Sequence, residues 1–275
     1  MKELGNINSL LINRFTANGA YLALHDGGEV LLPKSYLKGE EQVGEEIEVF
    51  VYTDSEDRPV AVTNRPVALL DEFAVMEARE NTKIGTFMDW GLPKDLFVPK
   101  AEAAKQMTPG EKYLVRVCLD YRTNRLIGVT KYEDFLIRDT QGFTEGQEVE
   151  ILVFEESPLG YKALIEGSFE GLLYKNEVFQ PIEIGDKLRA FVKKRRDDGK
   201  LDLQLNPTGR VKYEEGAEKV LELLKIRKFL PLHDKSSPES IKQLLGMSKK
   251  HFKQVIGQLY KAKLIQIKDD GIHLA

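Results

Sequence analysis

One cysteine, Cys118, in 275 residues leaves no intrachain disulfide to form, which fits a reducing cytoplasm. It lies on an alternating apolar stretch, the setting of a half-buried thiol rather than a nucleophile. Histidine is equally scarce: His25, His233, His251 and His273 are scattered, with no metal-ligand spacing, so no metal site is expected. No phosphate-cradling glycine loop or nucleophile elbow is present. Asp54 and Asp120 fall in hairpin turns, where aspartate caps its own backbone. No catalytic residue and no cofactor is expected, and the chain reads as non-enzymatic. No apolar run approaches the length of a membrane span. The opening MKELGNINSLL lacks the basic flank and apolar core of a secretory signal. A cytoplasmic protein without a membrane partner is expected.

Apolar residues make up 42% and charged residues 31% of the chain, which excludes a disordered polymer. The stretch that organises the rest is residues 185–205, IGDKLRAFVKKRRDDGKLDLQL with Ile184. Leu188, Ala190 and Val192 alternate with Lys187, Arg189, Phe191 and Lys193, as in a strand with one buried face. Asp197, Asp198 and Gly199 make a turn, and Leu201, Leu203 and Leu205 alternate back. Four consecutive cations, Lys193, Lys194, Arg195 and Arg196, crown this hairpin.

The hairpin recurs at residues 44–63 and 110–130, within a repeat of a whole domain. Gly19, Pro33, Gly44 and Asp54 return 66 positions later as Gly85, Pro99, Gly110 and Asp120. A further 75 positions on, Gly85, Pro99, Gly110, Asp120 and Arg125 correspond to Gly160, Tyr174, Gly185, Arg195 and Lys200. Each repeat offers five short strands with the longest connection between the third and fourth, the plan of a five-stranded Greek-key barrel of the OB type. Charge is uneven. The balance is −5 over residues 1–67, −1 over 68–143, −3 over 144–210 and +5 over 211–275.

The repeats resemble the S-one RNA-binding domain, an OB-fold module. Its pattern has a Gly-aromatic second strand, a third strand ending Gly-Leu-apolar-aromatic, and a final hairpin with an acidic-then-basic turn. Repeat three matches through Gly160, Gly171-Leu172-Leu173-Tyr174, Gly185-Asp186 and the hairpin. In repeats one and two, Pro33 and Pro99 stand where the family stacks an aromatic or imidazole on a base.

After Asn206-Pro207-Thr208-Gly209 the pattern turns helical. Residues 214–229 form an amphipathic helix with Ala217, Val220, Leu221 and Leu224 on one face. Ser237 caps a second helix with Pro238 at its first position, ending at Gly246. Ser248 caps a third, with Phe252, Val255, Ile256 and Leu259 as its buried stripe. A hairpin turning at Asp269-Asp270-Gly271 follows, which completes a winged helix. The expected architecture is mainly β with a C-terminal α+β domain. Three tandem five-stranded OB-type barrels (residues 1–66, 67–143 and 144–209) precede a winged helix (210–275). This domain order resembles the conserved virulence factor B family of bacterial RNA-binding regulators.

The resemblance implies a post-transcriptional regulator binding single-stranded RNA through the third barrel and winged helix. Stacking candidates are Tyr21, Phe87 and Tyr174; for Tyr21 and Phe87, packing within a small domain is equally open. Phosphate candidates are Lys162, Lys193, Lys194, Arg195, Arg196 and Lys200. On the winged helix, Lys249, Lys250, Lys253 and Lys261 lie off the buried stripe, where a recognition helix presents its cations. Duplex nucleic acid is the alternative partner of that domain. Trp90 shares an apolar column with Leu24 and Ile165, so packing is expected there. Two rival readings remain: a protein-interaction scaffold led by the acidic first barrels, and a winged-helix DNA-binding transcription factor.

Overall fold

The computed structural model describes residues 2–178, 181–206, 209–268 and 270–275, with the side chains of residues 209–215 left aside. Pro207 and Thr208 of the expected linker and Asp269 of the last turn therefore lie outside the described residues.

The first repeat runs β1 Ile7–Thr16, β2 Gly19–Ala23, β3 Glu29–Pro33, β4 Glu46–Thr53 and β5 Pro59–Val62, closed in the order β1-β2-β3-β5-β4. Alternation puts Leu10, Ile12, Ala20, Leu22, Leu32, Val51 and Ala61 inside. The third repeat is a closed barrel of the same order, from β11 Glu148–Glu156, β12 Gly160–Ile165, β13 Phe169–Tyr174, β14 Lys187–Arg195 and β15 Leu201–Gln204.

The second repeat departs from the expected closed barrel. Its strands, β6 Phe73–Asn81, β7 Gly85–Asp89, β8 Leu96–Pro99, β9 Lys112–Asp120 and β10 Arg125–Val129, keep the order but form an open five-stranded sheet, a half-barrel. In the first barrel a parallel pair, Leu31 with Val60, closes the seam. Here β8 and β10 are not paired, and the sheet stays open. Gly128 of β10 packs so closely on β8 that a Cβ there would stand 2.6 Å from the Val98 side chain.

The 66- and 75-residue offsets have a steric cause. Gly19, Gly85 and Gly160 pair with Pro33, Pro99 and Tyr174 across the second hairpin of each repeat. A Cβ on these glycines would stand 2.1, 2.2 and 2.0 Å from the carbonyl oxygens of Leu32, Val98 and Leu173. No other residue allows the two strands to close. A bulge in the first strand of each repeat, at Ile12/Arg14, Ala78/Glu80 and Val153/Glu155, adds the local bend that barrels require.

The first two repeats share one core. Trp90, 2% exposed, meets Phe50 and Tyr52 edge-on at 5.7 and 6.2 Å between ring centroids. Its indole N–H donates to Lys94 O at 2.6 Å, and Lys94 Nζ donates to the carbonyls of Thr53 and Asp54 at 2.9 and 2.6 Å. Arg125 pairs with Asp57 beside them. The second and third repeats meet through Leu114, Tyr132, Phe154 and Leu164, with the Tyr132 and Phe154 rings in an edge contact at 5.2 Å.

By contacts the chain falls into two compact units: Met1–Thr140 with Glu150–Arg189 and Arg196–Asp202, and Gln141–Val149 with Ala190–Arg195 and Leu203–Ala275. The second unit holds the winged helix: α1 Gly209–Arg227, β16 Phe229–Leu230, α2 Pro238–Leu245, α3 Lys249–Lys261, β17 Ile265–Lys268 and β18 Gly271–Leu274, with sheet order β16-β18-β17. Ser237 and Ser248 cap α2 and α3 through the amides of Ser240 and His251, and left-handed Gly246 ends α2. The first helix stops before the expected Phe229. Lys228 adopts a left-handed φ of 65°, and Phe229 pairs with His273 instead.

Candidate nucleic-acid interface

Register sorts the candidate residues by face. Tyr21, Phe87 and Lys162 occupy one repeat position, opposite Leu31, Phe97 and Leu172. Their neighbours in sequence point inward: Ala20, Leu22, Ala163, Leu173 and Val98 are buried. Tyr21, Phe87, Lys162 and Tyr174 therefore project from the outer face, the ligand face of an OB module.

Each repeat equips that face differently, because the residue across β1–β2 differs. Arg14 lies opposite Tyr21, its guanidinium 3.9 Å from the ring centroid and fixed by Glu29 at 2.6 Å. The hydrogen bonds from Arg14 and Asn13 hold the Glu29 carboxyl below its usual range. In repeat two the partners are Glu80 and Phe87, and the Phe87 ring lies 5.1 Å from that of Phe97. In repeat three Glu155 faces Lys162, with Nζ to Oε1 at 3.2 Å.

The third barrel's face is thus charged but balanced. Lys200 reaches Glu170 at 2.8 Å, and the Tyr174 hydroxyl donates to Asp202 Oδ1 at 3.2 Å. Of the hairpin cations, Lys194 and Arg195 are exposed, whereas Lys193 and Arg196 are half-buried. Arg196 pairs with Asp198 at 2.8 Å, and Arg195 donates to Gln141 O at 3.3 Å. The hairpin's expected single buried face gives way in β14, where Ala190, Phe191 and Val192 are all buried. In the winged helix, Phe252, Val255, Ile256 and Leu259 line the core. Lys250, Lys253 and Lys261 are exposed and Lys249 is half-buried, so α3 presents a basic outer face.

Arg14, Phe97 and the carboxylates Glu155, Glu170 and Asp202 belong to this face but escape sequence reasoning. Phe97 was within reach: once Gly85 pairs with Pro99, register places Phe97 opposite Phe87. Glu155 meets Lys162 through the bulge, which carries no sequence signature, and Glu170 and Asp202 meet Lys200 and Tyr174 across strands distant in the chain. Asp54 and Asp120 cap their turns, accepting from the amides of Glu56 and Arg58, and of Arg122. Cys118 is half-buried, and burial pushes its thiol up. Among the described residues no group of three or more His, Cys, Asp or Glu is placed to hold a metal ion. Nor is any helix among them long and apolar enough to cross a membrane.

Residues 4–64 match the model of the S1 domain, the S-one module, and residues 218–274 match that of the CvfB-like winged helix domain. The chain is similar to the conserved virulence factor B family over nearly its whole length. Conserved virulence factor B of Staphylococcus aureus strain bovine RF122 / ET3-1 is 25% identical over 98% of this chain and 94% of its own; the protein of strain USA300 gives the same figures. Among solved structures, a multidomain protein with nucleic acid binding domains from Streptococcus pneumoniae TIGR4 aligns with all of this chain and 99% of its own, at 25% identity and a TM-score of 0.45. S1 barrels and winged helices are both nucleic-acid-binding folds, and this chain matches one near each end.

Proposed function

We propose that this protein is a non-enzymatic, cytoplasmic single-stranded-RNA-binding regulator whose affinity is concentrated in residues 144–275. The observation that carries this reading is the pairing of two basic surfaces, the exposed Lys194 and Arg195 of the third-barrel hairpin and the outer face of α3. Both lie in the one compact unit that contains Ala190–Arg195 and the winged helix. Tyr174 supplies the stacking surface that Pro33 and Pro99 lack, and the hairpin cations supply phosphate contacts. The domain limits 1–66, 67–143, 144–209 and 210–275 are part of this proposal.

Two fragments test it. Residues 144–275 should bind an oligoribonucleotide, and residues 1–143 should bind it at least tenfold more weakly. Equal affinity of the two fragments would refute the reading. One observation favours a second role: the basic outer face of α3 has the form of a duplex-reading helix. Tighter binding of duplex DNA than of RNA by residues 144–275 would support that role.

A further inference from the structure

In the second repeat a cleft of about 370 Å³ lies between the β6–β7 turn and the segment 100–107. It is separate from the outer face. Thr86 and Met107, both buried, line its inner side, whereas Phe87, next in sequence, projects outward. Hydrogen bonds fix its walls. The Thr86 hydroxyl donates to Asn81 Oδ1 at 2.7 Å, and Asn81 Nδ2 donates to Met107 O at 2.6 Å. The Lys100 amide donates to Ile84 O at 2.8 Å, which ties the turn to the short 3-10 helix Lys100–Glu102.

Lys83, Lys100 and Lys105 line this cleft, all exposed, and among the described residues no carboxylate lines it. Among those residues none of the three lysines forms an ion pair; the Lys105 Nζ stands 5.5 Å from the Tyr113 ring centroid. The third repeat is arranged in the opposite way, with Lys162, Lys175 and Lys200 facing Glu155, Glu156 and Glu170. The repeat offsets show how the difference arises. Asn81 stands where repeat three has Glu156, the carboxylate that neutralises Lys175, and Lys83 stands where it has Pro158. In repeat one, Lys34 matches Lys100, but Ala17 and Gly39 stand for Lys83 and Lys105. Repeat two therefore gathers three cations and omits the carboxylate. Like charges held at one preformed cleft repel each other, and a bound anion reverses that cost.

We propose that this cleft binds a compact small-molecule anion of linked phosphoryl groups, as in pyrophosphate or the phosphate tail of a free nucleotide. Lysine meets phosphate as a mobile point charge, so three of them suit an anion whose charge is concentrated in a small volume. Asn81 Nδ2 keeps a second proton to donate, which adds one directed hydrogen bond. No aromatic ring lines the cleft, so a nucleic-acid strand would find charge here without stacking. The site is independent of the strand-binding surfaces proposed above.

Full-length protein is titrated calorimetrically with sodium pyrophosphate in buffer free of divalent cations, beside sodium sulfate at matched ionic strength. Pyrophosphate should bind saturably at one site per chain and at least tenfold more tightly than sulfate. Adenosine diphosphate should bind as tightly as pyrophosphate if the tail alone is held, and more tightly if the nucleoside adds contacts; either result supports the site. Replacing Lys83, Lys100 and Lys105 together by glutamine should weaken pyrophosphate at least tenfold with an unchanged melting temperature, since all three side chains are exposed. Asn81→Glu, which installs the carboxylate of repeat three, should weaken it at least fivefold, and Lys175→Gln in repeat three should leave it unchanged. Pyrophosphate no tighter than sulfate, or a triple variant that binds like wild type, overturns the proposal. A triple variant that loses oligoribonucleotide affinity while pyrophosphate fails to bind the wild type would assign the lysines to a strand and overturn it equally.

Discussion

Replacing Lys193, Lys194, Arg195 and Arg196 together by alanine separates a phosphate-binding hairpin from a solvated turn. Lys194 and Arg195 are exposed, and Arg196 can leave Asp198 for a phosphate, so two to three cations are available to a strand. On single-stranded RNA each phosphate contact contributes about 0.7 to the slope of log affinity against log salt, so the variant should lose roughly 1.4–2.1 of that slope. Between about 50 and 200 mM salt, wild-type affinity should then fall roughly 7- to 18-fold further than that of the variant. The loss should be the same across RNA sequences, because phosphates carry no base identity. Thermal stability should barely change, since exposed turn cations contribute little to folding. Fluorescence anisotropy of a labelled oligomer across a salt series reads both quantities. A variant with unchanged affinity and unchanged slope would falsify the phosphate role of the hairpin.

Three further outcomes follow from the same geometry. Tyr174→Ala should lower RNA affinity by about 1–3 kcal/mol with the salt slope nearly intact, because stacking releases no counterions; a flattened slope in the anisotropy series would contradict this. Trp90→Ala should cost about 3–5 kcal/mol in urea unfolding, because it empties the shared core of the first two repeats; a loss below about 1 kcal/mol would mean that the two repeats do not depend on this contact. Glu3, 1% exposed, accepts from the amide and imidazole of His25 at 2.9 and 2.7 Å. Burial raises its carboxyl, but these hydrogen bonds outweigh burial and hold it below the usual range. Its contribution is thus complete above the unfolded carboxylate value and fades as pH falls through the folded one. Glu3→Gln should flatten the acid limb of thermal stability below about pH 4.5, and an unchanged limb would refute the coupling.

What was legible in the sequence was whatever a local steric or hydrogen-bonding rule dictates. Gly19, Gly85 and Gly160 recur at fixed offsets because each must admit a carbonyl oxygen from the neighbouring strand. Ser237, Pro238, Gly246 and Ser248 marked helix ends because caps are made within one turn. What escaped depends on partners far along the chain. The half-barrel of repeat two turns on whether β8 pairs with β10, and no pattern in either strand records it. Trp90 reads as a packing residue, yet only its contacts with Phe50 and Tyr52 show that it joins two repeats. The candidate cations were legible, but their carboxylate partners were not. Lys162 meets Glu155 through a bulge, and Lys200, just before β15, meets Glu170 of the neighbouring β13.

The central claim is that single-stranded RNA is the partner of this chain. The most direct test measures full-length protein against a single-stranded oligoribonucleotide and a duplex DNA of equal length, at matched salt. The account predicts tighter binding of the RNA strand, with a negative salt slope that the hairpin variant flattens. Duplex DNA bound more tightly than the strand, or no measurable affinity for RNA, would contradict it.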